Sequence, residues 1–395
     1  MMKRPLLNSA IVAISLAFFA SCKSSDSDSN FPTKFSSNTV EENKTNLENN
    51  GIDMVNNLTD LKNTTGIQAT INFSKLSTVD NSSNARQSTS GSLNFIHSLA
   101  NFGQGKISAQ QLLSTMDDGP STLGGVWDSL IGVHTFHRAD STWTFEKTGD
   151  KIVFKFPSTS TGVDNDAEYD IYGYKSVQIS SNIGGSDYTG DYPTALNADL
   201  LIGGSKKAGF KFTAAYNSEG DPSALTIAYS IDDYTLTYSF TNTTSEIKSE
   251  YTLTKGSKTL LGFGVSSTGT FSSDALTNSG SAVTDVKTGS AYFRIENIQF
   301  SAKVNLEKIQ SGITPNMTLE QTVALYNANY KIVVFYIDSK KKIADSEFYV
   351  TSDDTVDLRL IFADGSKSDI DTYTSAGFED FKNAVDDFAN DTSGS

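Results

Sequence analysis

Four carboxylates at alternate positions, Asp164, Asp166, Glu168 and Asp170, come nearest in type and spacing to metal chemistry. Hard oxygen ligands in such a series open a calcium loop, because the cation needs several carboxylate and carbonyl oxygens converging on one point. An EF-hand then requires glycine at the sixth position and glutamate at the twelfth, where this chain has Tyr169 and Lys175. The EF-hand match fails, which leaves a Ca2+ loop of another kind or a solvated acidic turn between strands. His134 and His137 would share a face on a helix, but Gly132-Val-His-Thr-Phe-His reads as strand, where a spacing of three sends the imidazoles to opposite faces. They are read as packing or surface histidines.

Nucleophilic chemistry has less support. Ser245-x-x-Lys248 and Ser339-x-x-Lys342, with Lys147-Thr-Gly149 and Lys287-Thr-Gly289, match fragments of the penicillin-binding motifs. That chemistry needs its serine at the start of a buried helix, whereas these serines fall between strands or in a turn. A Gly-x-Ser-x-Gly elbow, a phosphate loop and a dinucleotide fingerprint are all absent from the sequence. No catalytic residue is assigned, and the chain reads as non-catalytic.

Cys22 is the only cysteine, so neither an intrachain disulfide nor a multi-cysteine metal site can form. Its surroundings are those of an export signal: Lys3 and Arg4 precede an apolar run over residues 10–20 that is too short to span a bilayer, and the small residues Ala20 and Ser21 stand just before the thiol. Phe19-Ala20-Ser21-Cys22 resembles the lipobox of bacterial lipoproteins, departing from it at Phe19, where leucine is preferred. The resemblance implies that Cys22 receives a diacylglyceryl group and becomes the first residue after cleavage. Two or more acyl chains anchor stably, at about 0.8 kcal/mol per buried methylene. Asp26-Ser-Asp28 further resembles signals that send Bacteroidota lipoproteins to the outer face of the outer membrane. The partners implied are the membrane, through the lipid, and an outer-membrane protein or glycan.

The elements that would stand behind these residues are mostly strands. Leu225, Ile227, Tyr229 and Ile231 alternate with small residues, as do Tyr234, Leu236, Tyr238 and Phe240. A two-residue loop at Asp232-Asp233 pairs Ile231 with Tyr234 and puts every large side chain on one face. Similar stretches run over residues 152–156, 210–216, 251–253, 261–265 and 292–304, the last with a bulge expected at Glu296 or Asn297 where the parity slips. Helical spacing of Leu47, Met54, Val55, Leu58 and Leu61 predicts an N-terminal helix, and Ser108 with Gln111 predicts the start of another. Thr318 with Gln321 caps a later helix, a strand covers residues 331–337, a hairpin turns at Asp364-Gly365, and Phe378, Phe381, Val385 and Phe388 stripe a last helix.

These signals predict an α+β, mainly antiparallel β chain: a large twisted β-meander sheet with peripheral N- and C-terminal helices. The expected divisions are a signal peptide over 1–21, a flexible tether over 22–45, a helical segment packing on the sheet over 46–140, the meander over 141–310 and a C-terminal α+β unit over 311–391. The order of parts, including Trp143-Thr144-Phe145 before a strand ending in Phe156-Pro157, resembles uncharacterised Bacteroidota lipoproteins. A formal charge of -15 and a pI near 4.6 argue against nucleic acid and against anionic headgroups as partners.

Three functional classes follow. The favoured one is a lipid-anchored, non-catalytic binding or scaffold module at the outer membrane. If its ligand is a glycan, Trp127 and Trp143 are the candidate platform, against the alternative that both are core tryptophans. The runner-up resembles lipid-carrying half-barrels, with the face from Leu225 to Phe240 lining a cavity. A surface hydrolase with paired carboxylates is third.

Overall fold

The computed structural model describes residues 31–77, 123–183, 186–218, 220, 222–271, 286–375 and 378–393. Cys22 with its export signal, and the helix start expected at Ser108, lie outside the described residues. The chain divides into two compact units, one formed by residues 60–241 and the other by residues up to 59 together with residues 242–395. That boundary falls inside the single meander expected over 141–310.

Among the described residues of the 60–241 unit two helices, α2 (Thr65–Ser77) and α3 (Leu123–Leu130), precede eight strands. The strands are β1 (Gly132–His137), β2 (Thr142–Glu146), β3 (Ile152–Phe156), β4 (Ala167–Ile183), β5 (Ser186–Ile202), β6 (Ser205–Tyr216), β7 (Pro222–Ile231) and β8 (Tyr234–Asn242). They are ordered β2-β1-β3-β4-β5-β6-β7-β8, and all neighbours are antiparallel except β1 with β3. The β7–β8 register is the one the alternation dictates: Ile231 faces Tyr234, Tyr229 faces Leu236, and Ile227 faces Tyr238.

The core of this unit lies between α2 and α3 and one face of the sheet. Ala69, Phe73 and Leu76 from α2 and Trp127 and Leu130 from α3 pack with Phe154, Phe156, Phe212, Leu225 and Ile227. Phe73 is the centre of an aromatic cluster, with ring centroids 4.7 Å from Phe156, 5.4 Å from Phe154 and 6.2 Å from Trp143, the last edge-on. Offset and edge-on contacts of this kind add about 1 kcal/mol each to the gain from burial.

The other unit contains α1 (Val40–Lys62) up to residue 59, then β9 (Glu246–Lys255), β10 (Lys258–Gly269), β11 (Val286–Ile295) and β12 (Ile298–Asn305). Helices α4 (Leu306–Gly312) and α5 (Leu319–Asn329) lead to β13 (Tyr330–Tyr336), β14 (Lys341–Val350), β15 (Val356–Ile361) and β16 (Lys367–Asp369), followed by α6 (Ile370–Ser375) and α7 (Glu379–Ser393). Its strands neighbour one another in chain order. Helix α1 buries Asn43, Leu47, Gly51 and Val55, a strict series of every fourth residue. Leu47 joins Ile298, Val334, Ile343, Leu360 and Phe378 in a second core. Gly51 is buried because Phe381 of α7 lies against it: a β-carbon there would sit 2.8 Å from two carbons of that ring. The terminal helix therefore docks on its own unit, as its apolar stripe predicts.

Two expectations are corrected. Glu296 and Asn297 are not a bulge within one strand but the loop of a hairpin, with Ile295 opposite Ile298. The residue types concealed the turn, since Glu296 adopts a φ of 48° that glycine or asparagine would take more readily. Its conformation is held from outside, by its N–H donating to the Leu260 carbonyl at 3.0 Å and by an ion pair with Lys258 at 2.6 Å.

The described part of the expected tether, residues 31–45, is also not free chain. Lys342 N–H donates to the Lys34 carbonyl at 2.9 Å and Ser36 N–H to the Lys342 carbonyl at 2.7 Å, making a parallel bridge, and α1 is already under way at Val40. The Phe35 ring sits 4.3 Å from the Lys342 ammonium and the Phe31 ring 5.1 Å from that of Lys303. Two aromatics in an otherwise polar stretch, each under a cation, contribute to offsetting the cost of ordering it. Thr39 then starts α1 through a reciprocal capping box with Glu42: Thr39 N–H donates to Glu42 Oε2 at 2.7 Å and Glu42 N–H to Thr39 Oγ1 at 3.2 Å.

Candidate functional site

The four alternating carboxylates do not converge. Asp166 accepts from the Ser158 N–H and hydroxyl, both at 2.7 Å, and these bonds lower its pKa against the opposing effect of burial. Glu168 and Asp170 lie on β4, whose alternation gives them one face, and both meet Lys151; Glu168 also approaches Lys155 at 3.9 Å. Burial lowers the Lys151 pKa, but Asp170 and then Glu168 outweigh it and hold the ammonium charged. The series is thus a strand with lysine partners on β3 and the chain just before it, with Asp166 tying down the connection. Among the described residues no three His, Cys, Asp or Glu side chains are placed to hold a metal ion.

Both tryptophans are core residues, Trp127 at 7 % and Trp143 at 3 % exposure, so neither forms a platform for a glycan. Trp127 stacks on Tyr174 at 5.4 Å, and the Trp143 indole N–H reaches the Leu76 carbonyl at 3.4 Å. Of the face proposed to line a lipid cavity, Leu225 and Ile227 are buried in one cluster with Phe73, Leu76 and Leu130, whereas Leu236 is 44 % exposed.

His134 and His137 lie on β1 and point to opposite sides: His137 is exposed and bonded to Thr144 Oγ1 at 2.9 Å, whereas His134 is 0 % exposed. The His134 ring is sandwiched by Phe145 at 4.7 Å and Phe154 at 4.6 Å, and neither ring nitrogen has a hydrogen-bond partner of normal geometry. Burial lowers its pKa to about 4, with the Leu130 backbone pulling weakly the other way. The Ser-x-x-Lys fragments hold no helix-borne nucleophile. Ser245 lies in the turn before β9, and Lys248 pairs with Glu250 at 3.1 Å. Ser339 lies in the turn after β13, and Lys342 pairs with Asp345 at 2.7 Å.

Sequence reasoning missed a cleft of about 450 Å³ in the second unit. One side is the docked lead-in, Phe35 to Asn38; the other is the β13–β14 turn, with Asp338, Ser339 and Lys341. Tyr336 forms part of the lining, and its hydroxyl is a junction of three amides: Asn38 and Asn46 donate to it at 3.3 and 2.8 Å, and it donates to Asn43 Oδ1 at 2.8 Å. Asn297 from the β11–β12 loop anchors the turn, its carbonyl accepting from Ile337 N–H at 2.8 Å and its side chain from Asp338 N–H at 3.0 Å. Three stretches of chain far apart in sequence are thereby fixed around one opening. The only sequence trace of the cleft is the density of asparagine and serine near residue 38, which reads equally as linker.

Comparison with protein-family models gives no match for this chain, and comparison with curated proteins gives none either.

Proposed function

We propose that this protein is an exported, lipid-anchored lipoprotein that acts as a non-catalytic binding or scaffold module at the outer membrane. The observation that carries the reading is the sole cysteine, Cys22, placed behind a short apolar run and small residues. Nothing apolar enough to replace the lipid is found among the described helices, none of which is long and apolar enough to cross a membrane. A binding role is favoured over a carrier or a hydrolase for two reasons. Leu225 and Ile227, two residues of the sheet face that would line a lipid cavity, are buried in one cluster with residues of α2 and α3. The one cleft described above is lined by a single carboxylate, Asp338, where glycoside hydrolysis uses a pair.

The test is a pair of proteins. Cys22→Ser should lose metabolic lipid label and escape normal cleavage, and a chain starting at Lys23 should be soluble and folded. If Cys22→Ser matures at residue 22 with the label of wild type, or if the shortened chain sediments with membranes, the anchor reading is wrong.

A further inference from the structure

We infer that the cleft between the lead-in segment and the β13–β14 turn binds a small neutral polyhydroxylated ligand, a mono- or disaccharide or the end of a glycan chain. This inference rests on the binding-module reading above and supplies its ligand class.

Size and charge narrow the class first. About 450 Å³ lies within the ~300–1,000 Å³ range of small-molecule sites. The charges on the lining are one carboxylate, Asp338, and one ammonium, Lys341, so the rim has no net charge. A phosphate or other anion would meet the carboxylate, and a divalent cation would find one carboxylate beside an ammonium; neither gains from such a rim. Among the described residues Asp338 and Lys341 have no ion-pair partner, which leaves their charges for a ligand.

Hydrogen-bonding capacity narrows it further. An amide offers two donors and an acceptor with two lone pairs, a serine hydroxyl is both donor and acceptor, and a carboxylate accepts twice. Such a mixture suits a ligand whose own groups donate and accept at neighbouring positions, as the hydroxyls of a sugar do. Asn38 and Asn46 each commit amide hydrogen to Tyr336, which fixes the planes of both amides, and their oxygens are not used in those bonds. Phe35 and Tyr336 add aromatic carbon for the C–H face of a pyranose. The walls are held before any ligand arrives: Phe35 by its backbone bridge and by Lys342, Tyr336 by three asparagines, and the turn by Asn297. Ligand binding is then spared the cost of ordering them.

The experiment is saturation-transfer NMR on the mature chain, with methyl α-D-glucoside, N-acetyl-D-glucosamine, maltose and maltohexaose as probes, each at about 10 mM, a level that detects weak millimolar binding. Transfer to at least one probe is expected, with at least tenfold weaker binding in both Asp338→Ala and Ser339→Trp. Both residues are exposed, so neither change threatens the fold, and circular dichroism checks this. Tenfold tighter binding of maltohexaose than of the glucoside identifies a glycan chain as the source, and equal binding identifies a free sugar or a chain end. Absence of transfer from all four probes, undiminished transfer in both variants, or displacement by inorganic phosphate overturns the assignment. The Cys22→Ser fractionation reads the anchor without any sugar, so the two proposals fail separately.

Discussion

Protonating His134 would put a charge between two phenyl rings with no acceptor in normal hydrogen-bonding geometry. Its pKa falls from an ordinary 6.5 to about 4 in the folded chain, with burial as the chief cause. The unfolded chain therefore binds this proton first. The stabilisation is complete above about pH 6.5, declines as pH falls through the window between the two values, and is gone below about 4, a loss on the order of 3 kcal/mol. His134→Phe, which keeps a flat ring and removes two unpartnered nitrogens, should be near neutral at pH 7 and should narrow the drop in unfolding free energy between pH 7 and pH 4.5. Urea unfolding of both proteins at the two pH values measures this. An equal acid loss in wild type and variant would show that His134 is not responsible.

At the scale of elements, two packing contacts can be weighed. Alanine is the better helix former by about 1 kcal/mol, so Gly51→Ala would stabilise an isolated α1. In the protein its β-carbon meets the Phe381 ring at 2.8 Å, and overpacking of that kind costs about 1–3 kcal/mol. The variant should thus be less stable than wild type by denaturant unfolding, and Gly51→Ala with Phe381→Leu should recover part of the loss. Phe73→Ala, which empties the centre of the aromatic cluster, should cost about 3–5 kcal/mol and blue- or red-shift the emission of the neighbouring Trp143. Unchanged stability and emission would mean that α2 does not plug the sheet.

The same contacts explain what could be read from the residues. The β7–β8 hairpin was legible to the exact pair because its period is two and its loop is short, so local pattern and tertiary register coincide. The long β4–β5 hairpin was not: its acidic residues are matched by Lys151 and Lys155 on another stretch of chain, and register shifts near Tyr172 and Lys175 break the alternation. Glu296 and Phe35 were misread for a shared reason, since each is held by a lysine distant in sequence. The cleft was illegible because its three stretches meet only when folded.

For the whole molecule, the formal charge of -15 bears on the membrane attachment proposed above. An acidic chain gains nothing from anionic headgroups, so the lipid proposed on Cys22 would act without help from the chain's net charge. Washing membranes with about 1 M salt, where the Debye length is about 3 Å, should leave wild type bound and should not alter the release of Cys22→Ser. Release of wild type by salt would reveal an ionic attachment instead.

The parallel bridge at Phe35 also sets a leash. Eight residues separate Cys22 from Phe31, and an extended chain covers at most about 3.6 Å per residue, so with lipid on Cys22 the docked aromatic stands no more than about 30 Å from the anchored cysteine. Had the free chain run on to residue 45, that radius would have been more than twice as large. With that lipid in place, the cleft beside Phe35 would be confined to a layer near the bilayer, within reach of short chains rooted in the same surface. A bulky particle arriving from the medium would have to press down to the lipid to enter it.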